Sequence, residues 1–457
     1  MGTTKVYSFA LLALLTALPL GALDVSSVKQ GAPVKHGNSW QQVSEFEAPT
    51  REGARLLLRA DNGSVEIRPG PGDKVSCAVT LRAYTSDGAK ARRLFDAFQL
   101  TSRSVEAGGV YITSQSPQRG HHESKFRISF LVTVPQRYNL DVETRGGDIN
   151  VESPLEGEAR LTTAGGDVRT SDVSGPVRIE TAGGGISVGK IGGELSARTA
   201  GGGIHVDGAR GDTTLETSGG EIVTGEVGGS LRAETAGGDI VVGGATGQVQ
   251  AQTSGGQIQI GPTGGSVRAE TAGGSIRLQS ARGRVVAETA GGSIDLLKVD
   301  AAVRASTAAG RILAEFNWSN KNFGPSQLET SMGDVFVYVP INMPLTIDAA
   351  IDTAAGRQIR SDFPLTIQSD KEELVPSTIR GRGSLNGGGE ILKIRTVAGN
   401  IEIRKIDDAS LQELQRREDS SWKGWNDRHA ENERRRQEQE TQRRQRQQEG
   451  DEGDHDQ

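Results

Sequence analysis

The chain has 457 residues, of which 62 are glycine, while only 34% are hydrophobic and 4% are aromatic. So few large apolar residues exclude several thick globular cores and favour many short strands joined by tight turns. The formal net charge of −6 gives no support for nucleic-acid binding.

Residues 1–22 have the layout of a secretory signal peptide. One cation, Lys5, precedes an apolar run that extends to Leu18 and is broken by Pro19 and Gly21. The cleavage site is blurred, so a retained N-terminal anchor stays open as the alternative. No later stretch is long and apolar enough to span a bilayer. The sequence therefore predicts an exported protein in the periplasm, at the outer surface or outside the cell.

Residues 23–50 are assigned to a linker, and residues 51–140 to a β-rich N-terminal cap. Within the cap, ARLLLRADNGSVEIRPG and KFRISFLVTVPQRYNLDVET are typical of strand pairs. The segment SDGAKARRLFDAFQLTS between them predicts one helix, capped by Ser86 or Asp87. The single cysteine, Cys77, lies in a strand-like segment and is predicted to be a buried thiol.

An internal repeat of 18 residues occupies residues 141–320. From Thr163 to Thr307, a threonine precedes a glycine-containing corner at every eighteenth residue. Aliphatic residues follow each threonine at the fifth position and mostly again at the seventh, and a second such pair ends each unit. A spacing of two is strand periodicity, so each unit is predicted to contain two short strands. One turn holds paired glycines, such as Gly273 and Gly274, and the other a lone glycine.

A unit of this kind is one coil of a parallel β-solenoid. Like strands are expected to stack in parallel, with two sheets facing each other over a thin core. The glycine corners are expected to allow positive φ and close stacking of turns. The predicted fold class is all-β, a β-roll-like parallel solenoid with β-rich caps. Residues 321–405 would form irregular coils and a cap, and residues 406–457 a polar helical or disordered tail.

The candidate site residues are the corner and inner-ladder positions, and their expected role is structural. Strand parity places Thr271 on the same face as Val267, which argues against an outward, ice-matching threonine ladder. Its hydroxyl is expected to satisfy a backbone group at the corner. The set comprises Thr181, Thr199, Thr217, Thr235, Thr253, Thr271, Thr289, Gly183, Gly201, Gly219, Gly237, Gly255, Gly273 and Gly291.

No cofactor, metal or catalytic group is expected. A calcium-binding β-roll also has 18-residue coils, but here Asp, Gly, Glu, Gln and Ser all occur after the double glycine. Such a column cannot supply carboxylates in register. A left-handed hexapeptide helix would need an aliphatic residue at every sixth position, and a phosphate-binding loop would need a following helix and a lysine.

The outward positions beside the threonines form charged columns. A glutamate directly precedes most of the threonines, and an arginine stands two residues earlier at Arg178, Arg232, Arg268 and Arg304. Two interpretations stay open. The columns are a solvated face that keeps sheets from associating, or a stripe that faces a glycan or an envelope polymer.

Taken in order, these motifs resemble the bacterial putative-adhesin β-solenoid family of unknown function over roughly residues 50–405. The repeated T-x-G-G-x-I-x-V, the entry FLVTVPQRYNLDVETRGGDINV and the ending GRGSLNGGGEILKIRTVAGNIEIRKI carry the resemblance. It implies an exported β-solenoid and the label adhesin, and it implies no catalytic residues.

The sequence therefore predicts an exported, non-enzymatic β-solenoid that is an adhesion or scaffold module at the bacterial cell envelope. Its expected partner is a glycan, an envelope polymer or a surface protein, without nucleic acid or a transmembrane domain. The oligomeric state stays open. One alternative is a carbohydrate-binding or carbohydrate-active β-helix protein with a groove over the charged columns. The other is an envelope stress or assembly factor that acts through its C-terminal tail.

Overall fold

The structure is a computed structural model that describes residues 28–117, 126–319, 323–369 and 378–406, with Gln412 and Arg416. The predicted signal peptide lies outside the described residues, as does the predicted tail apart from Ile406 and those two residues. Within the described part of the chain, no helix has the length and apolar character needed to cross a membrane.

The chain divides into two units, Met1–Gly184 and Gly185–Gln457. The described elements of the first unit are β1 (Lys29–Gln30), β2 (Val34–His36), β3 (Ser39–Pro49), β4 (Arg55–Ala60), β5 (Ser64–Gly70), β6 (Lys74–Ala83), α1 (Gly88–Asp96), β7 (Gln99–Val105), a 3-10 turn (Glu106–Gly108), β8 (Gly109–Gln115), β9 (Phe126–Pro135), β10 (Asn139–Thr144), β11 (Ile149–Val151), β12 (Ala159–Thr163), β13 (Val168–Thr170) and β14 (Val177–Thr181).

The strands of the first unit form two sets of hydrogen-bonded neighbours. In one, β3, β6 and β9 are antiparallel, and β5, β11 and β13 continue from β9 in parallel. In the other, β7 is antiparallel to β8, and β4, β10, β12 and β14 follow in parallel. Alternate side chains are buried along each strand, because one face of each sheet is turned to the core. Large buried side chains such as Leu56, Ile67 and Phe130 fill this core.

Strands β1, β2 and β3 occupy most of residues 29–49, so the linker assigned to residues 23–50 is wrong for this stretch. The longest of them, β3, pairs with β6 from Trp40 opposite Ala83 to Pro49 opposite Lys74. Phe46 and Ala48 are buried. Glu45 and Glu47, which alternate with them, are exposed on the solvated face, which explains why the segment looked like a linker in sequence.

The single predicted helix of this region is confirmed as α1. The carboxylate of Asp87 accepts hydrogen bonds from the backbone N–H groups of Ala89 at 2.9 Å and Lys90 at 3.2 Å, and so caps the first turn. Ala91 and Phe95 are buried against the unit. The helix ends before the QLTS segment, which belongs to β7 instead.

The described elements of the second unit are all strands. They are β15 (Ile186–Ile191), β16 (Leu195–Arg198), β17 (Ile204–Ala209), β18 (Thr213–Glu216), β19 (Ile222–Val227), β20 (Leu231–Glu234), β21 (Ile240–Ala245), β22 (Val249–Gln252), β23 (Ile258–Thr263), β24 (Val267–Thr271), β25 (Ile276–Ala281), β26 (Val285–Thr289), β27 (Ile294–Val299), β28 (Val303–Ala309), β29 (Ile312–Phe316), β30 (Ser326–Met332), β31 (Val335–Val339), β32 (Leu345–Ile351), β33 (Ile359–Ser361), β34 (Thr366–Ser369), β35 (Ile379–Leu385), β36 (Ile391–Ala398) and β37 (Ile401–Lys405).

In the second unit, the even-numbered strands from β16 to β30 form one parallel sheet, which we call the threonine sheet. The odd-numbered strands from β15 to β31 form a second parallel sheet, the isoleucine sheet. Val267 lies opposite Val285, and Ile276 opposite Ile294, so neighbouring strands are one 18-residue unit apart. The predicted all-β parallel solenoid with two short strands per coil is confirmed.

The core of the second unit repeats the same inward positions on successive coils. Val267, Ala269 and Thr271 from the threonine sheet, and Ile276 and Leu278 from the isoleucine sheet, are all buried. Alanine on one sheet leaves room for branched side chains on the other, as close packing of a thin core requires. Burial of each such aliphatic side chain stabilises the folded state by about 1.5–3 kcal/mol relative to leaving it exposed.

The last coil of the second unit departs from chain order. The strands β36 and β37 pair in parallel with β30 and β31, while β32 and β33 lie on their other side. The strand β35 then pairs with β32 in antiparallel orientation, and β34 pairs with β35, also antiparallel. Thr396 thereby reaches Gly333, 63 residues earlier, with a 3.0 Å hydrogen bond that has the same partners as in the regular coils.

Candidate functional site

The corner threonines point inward and hold one coil to the next. The hydroxyl of Thr271 donates to the carbonyl oxygen of Gly256 at 2.8 Å and accepts from the backbone N–H of Gly274 at 3.2 Å. The same pair of bonds recurs at Thr217, Thr235, Thr253 and Thr289 of the second unit, and at Thr163 and Thr181 of the first. Since each hydroxyl donates and accepts within the corner, it is committed to the backbone. Thr199, the remaining member of the set, is buried and accepts from Gly202 at 3.4 Å.

The steric requirement for glycine falls on the second residue of each corner pair. A Cβ on Gly274 would overlap the carbonyl group of Gly256 and lie 2.7 Å from the nitrogen of Gln257. A Cβ on Gly273 would lie 3.3 Å from the oxygen of Gly255, a tight contact that a small shift relieves.

The sequence pointed to the first glycine of each pair, and the structure places the stricter steric requirement on the second. Among those first glycines, Gly183, Gly219, Gly237, Gly255, Gly273 and Gly291 have 3.1–3.4 Å between an added Cβ and the nearest backbone oxygen. The second glycines of the same pairs are all in hard overlap with the coil before them, at Gly184, Gly220, Gly238, Gly256, Gly274 and Gly292.

Close stacking, and not left-handed backbone, is the reason for these glycines. In the described residues of the second unit, no glycine pair between Gly219 and Gly292 has a positive φ. These corners were expected to allow positive φ as well as close stacking, and the expectation of positive φ does not hold in this range. It holds in the first unit for Gly147, whose φ is +105°.

Cys77 is buried in β6, and burial raises the pKa of its thiol to about 12. The thiolate would lose its hydration inside the core, so the neutral thiol is the stable form at physiological pH. This residue is a core side chain, as the sequence indicated.

A charged cluster lies on the outer face of the first unit. The Arg68 guanidinium contacts Glu66 at 2.5 Å and Glu152 at 2.9 Å. Burial raises the pKa of Glu66, and the neighbouring Glu152 carboxylate raises it further, although Arg68 acts in the opposite direction. The Arg68 guanidinium thus links Glu66, on its own strand β5, to Glu152, which directly follows the neighbouring strand β11. These contacts connect the two strands on the outer face of the sheet.

The outer face of the threonine sheet in the second unit carries a groove of about 720 Å³ that runs across strands β18–β28. We call it the arginine groove. Its charged lining consists of Arg232, Arg268, Arg284, Arg304, Asp212 and Glu288. Four arginines and two carboxylates give these lining residues a charge of +2, and the carboxylates of Glu234 and Glu270 lie beside them in contact with Arg232 and Arg268.

The guanidinium groups of the groove are positioned by neighbouring side chains and remain open to solvent. Arg232 contacts Glu234 at 2.5 Å and donates to the amide oxygen of Gln250 at 3.0 Å. Arg268 contacts Glu270 in the same way. The side chains of Arg232 and Arg268 are 47% and 55% exposed. Each guanidinium has five N–H donors, so the carboxylates leave donors free for a ligand.

The sequence indicated only part of this groove. The outward arginine column includes Arg232, Arg268 and Arg304, but Arg284 was missed. It immediately precedes the strand residue Val285, and its column contains Asp212 and polar residues elsewhere. Arg284 is recognised as part of the groove only in the structure, where turn residues of adjacent coils lie beside the arginine column.

Comparison with known proteins supports the family resemblance seen in the sequence. The model of the family described as Toastrack DUF4097 matches residues 54–280. No curated protein matches the chain.

Several solved structures are similar to the chain, and three of them have the following identity, coverage and TM-score. A putative cell adhesion protein from Clostridium sporogenes is 9% identical, with a TM-score of 0.18, and the match covers 79% of this chain and 99% of that one. A putative adhesin from Bacteroides fragilis is 14% identical, with a TM-score of 0.28 and coverage of 56% and 97%. A putative lipid binding protein from Parabacteroides distasonis is 13% identical, with a TM-score of 0.22 and coverage of 66% and 94%.

Proposed function

Residues 54–280 belong to the Toastrack DUF4097 family, and from this premise we propose that the protein is a non-enzymatic adhesion or scaffold module. We place it at the bacterial cell envelope, exported by the signal-peptide pattern of residues 1–22. Its partner is a glycan, an envelope polymer or a surface protein.

One observation carries the proposal: the inward corner threonines of the coils form hydrogen bonds with backbone groups of their own and the preceding coil. The Thr271 hydroxyl is bonded to two backbone groups of the corner. The side chains on the outer face of the threonine sheet are charged and half exposed instead. A stack of this kind offers an extended, regular outer surface on which a long partner can lie, as in other solenoid proteins.

The proposal is tested by fractionation and by adhesion. The full chain and a variant without residues 1–22 are expressed in the source bacterium and followed by immunoblot. We expect the full chain in envelope or culture fractions and the shortened variant in the cytoplasm. Cells that carry the full chain should also retain envelope-coated beads better than cells that carry the variant. Cytoplasmic retention of the full chain would contradict the proposal.

Catalysis is tested separately with a panel of glycans measured for cleavage as well as for binding. The proposal expects binding without new reducing ends. Accumulation of new reducing ends with the purified full chain would favour the carbohydrate-active alternative.

A further inference from the structure

Three arginines of the arginine groove occupy the same position on every second coil. Across neighbouring strands, Arg232 lies opposite Gln250, Gln250 opposite Arg268, Arg268 opposite Val286, and Val286 opposite Arg304. Strands in a sheet are about 4.8 Å apart. The groove therefore presents a row of guanidinium groups with a period of about 10 Å, separated by one uncharged residue each time.

These guanidinium groups are suited to carboxylates. Arg232 and Arg268 are each held by the glutamate two residues further along the same strand. Arg304 lies 3.8 Å from Glu288 of the preceding coil. Such pairs restrict the arginine side chains before any ligand arrives, which lowers the entropic cost of binding. The planar fork of donors on each arginine then matches a carboxylate in two-point geometry.

The uncharged lining is suited to hydroxyl groups. Gln248 and Gln250 offer amide donors and acceptors, while Ser230 and Ser266 offer hydroxyls. No aromatic side chain occurs among the described residues that line the groove. Proteins that hold single-stranded nucleic acid combine a positive groove with aromatic rings on which bases stack, and because the described lining has no such rings it favours sugar hydroxyls over bases.

We propose that the arginine groove binds a linear acidic polysaccharide whose carboxylates recur on every second sugar. A pyranose unit in an extended chain spans nearly the same length as one strand spacing. A chain laid across the strands therefore brings alternate sugars to Arg232, Arg268 and Arg304, and the neutral sugars between them to Gln250 and Val286. The inference rests on the surface role proposed above and gives its partner a chemical class.

The test uses the full chain and a hyaluronan decasaccharide, which carries one carboxylate on every second sugar, in titration calorimetry. The groove variant is R232Q/R268Q/R304Q. The matched control, R277Q/R311Q/R360Q, removes three exposed positive charges from the other sheet, at Arg277 of β25, at Arg311 directly before β29 and at Arg360 of β33. Circular dichroism and thermal melting establish that both variants fold. R268Q alone, at the centre of the row, is a milder variant that keeps the test open if the triple variant does not fold.

We expect the groove variant to raise the Kd at least about tenfold, because three charge pairs with the ligand are lost. R268Q should raise the Kd about threefold, and the control should stay within about twofold of the parent. Affinity of the parent should fall as salt increases, because exposed charges are screened. Neutral dextran should not compete.

Three results would overturn the inference: parent-like affinity of the groove variants, an equal loss in the control variant, or equal competition by dextran or by single-stranded DNA. Absence of hyaluronan binding by the parent would overturn it as well. The proposed function is judged apart from this, by the location and bead adhesion of the full chain. A groove variant that reaches the surface and adheres like the parent removes only the polysaccharide inference.

Discussion

The hydroxyl of Thr271 donates a 2.8 Å hydrogen bond to the carbonyl oxygen of Gly256, which belongs to the preceding coil. The same hydroxyl accepts from the backbone N–H of Gly274 in its own coil. One buried side chain thus satisfies two backbone groups at a corner that has no regular strand partners. The arrangement recurs along the repeat, so the corner is the part of each coil that restricts the choice of side chain most.

Substitutions of Thr271 should distinguish the contribution of its hydroxyl to stability from the contribution of its methyl group. Thr271→Val keeps the shape but leaves the Gly256 carbonyl and the Gly274 N–H without partners, and should destabilise by about 1–3 kcal/mol. Thr271→Ser keeps both hydrogen bonds and should cost less. Urea unfolding measured by circular dichroism checks the order. Equal stability of the valine variant and the parent would show that the hydroxyl contributes nothing.

Adjacent glycines at one corner should respond differently to the same change. Gly274→Ala places a methyl group in overlap with the Gly256 carbonyl, and should destabilise by about 3 kcal/mol or more. Gly273→Ala meets the oxygen of Gly255 at 3.3 Å and should stay within about 1 kcal/mol of the parent. Thermal unfolding of both variants measures the difference. A reversed order would contradict the assigned roles.

Cys77 should be inert in the folded protein and should make stability depend on alkaline pH. Burial raises the pKa of its thiol to about 12, above the value of about 8.5 in an unfolded chain. The folded state therefore holds the proton more tightly, so this contribution is complete below pH 8.5 and declines as pH rises toward 12. Iodoacetamide should label Cys77 only in denaturant. Cys77→Ala should flatten the loss of stability between pH 9 and 11, and rapid labelling of the native protein would contradict the burial.

Two truncations should show where the folded second unit ends. A chain that stops at residue 390 lacks β36 and β37, and so removes the coil that lies between β30 and β32. It uncovers Leu328 and Ile347, which are fully buried, and should lose the cooperative melting transition of the second unit. A chain that stops at residue 406 keeps those strands and should melt like the parent.

The same pair bears on the proposed role of the tail. If the chain ending at residue 406 is folded and still adheres, the tail is dispensable for adhesion. If it is folded but inactive, the envelope-factor alternative is favoured. Loss of the second unit's melting transition in the chain that ends at residue 406 as well would contradict the expected boundary.

The regular coils were predictable because their spacing in sequence is their register in space. A threonine at every eighteenth residue requires that Thr271 and Thr289 lie side by side, as they do. The end coils were not predictable in this way. Thr396 pairs across 63 residues with Gly333, and Thr144 across 81 residues with Gly63, so no local period specifies either contact.

Only the outward charged residues of the candidate site were predictable from the sequence, and the concave surface was not. Parity identifies Arg232 and Arg268 as outward residues, but sequence does not reveal that a concave surface forms beside them. That surface depends on turn positions such as Arg284 and Ser266, whose side chains face the groove through the path of the backbone and not through strand alternation. The choice between Gly273 and Gly274 likewise required the distance to the preceding coil.

The stacking of corners gives the protein a discrete unit of length. A deletion of residues 254–271 would join Thr253 to Ala272, and the new junction would keep the threonine, the glycine pair and the following strand in order. Every remaining coil would find an equivalent neighbour, because each strand pairs only with the strands one coil away. Whole coils can thus be lost or duplicated while the register of the remaining strands is kept. Because the arginines stand on every second coil, the row of arginines keeps its period only when coils are lost or gained in pairs.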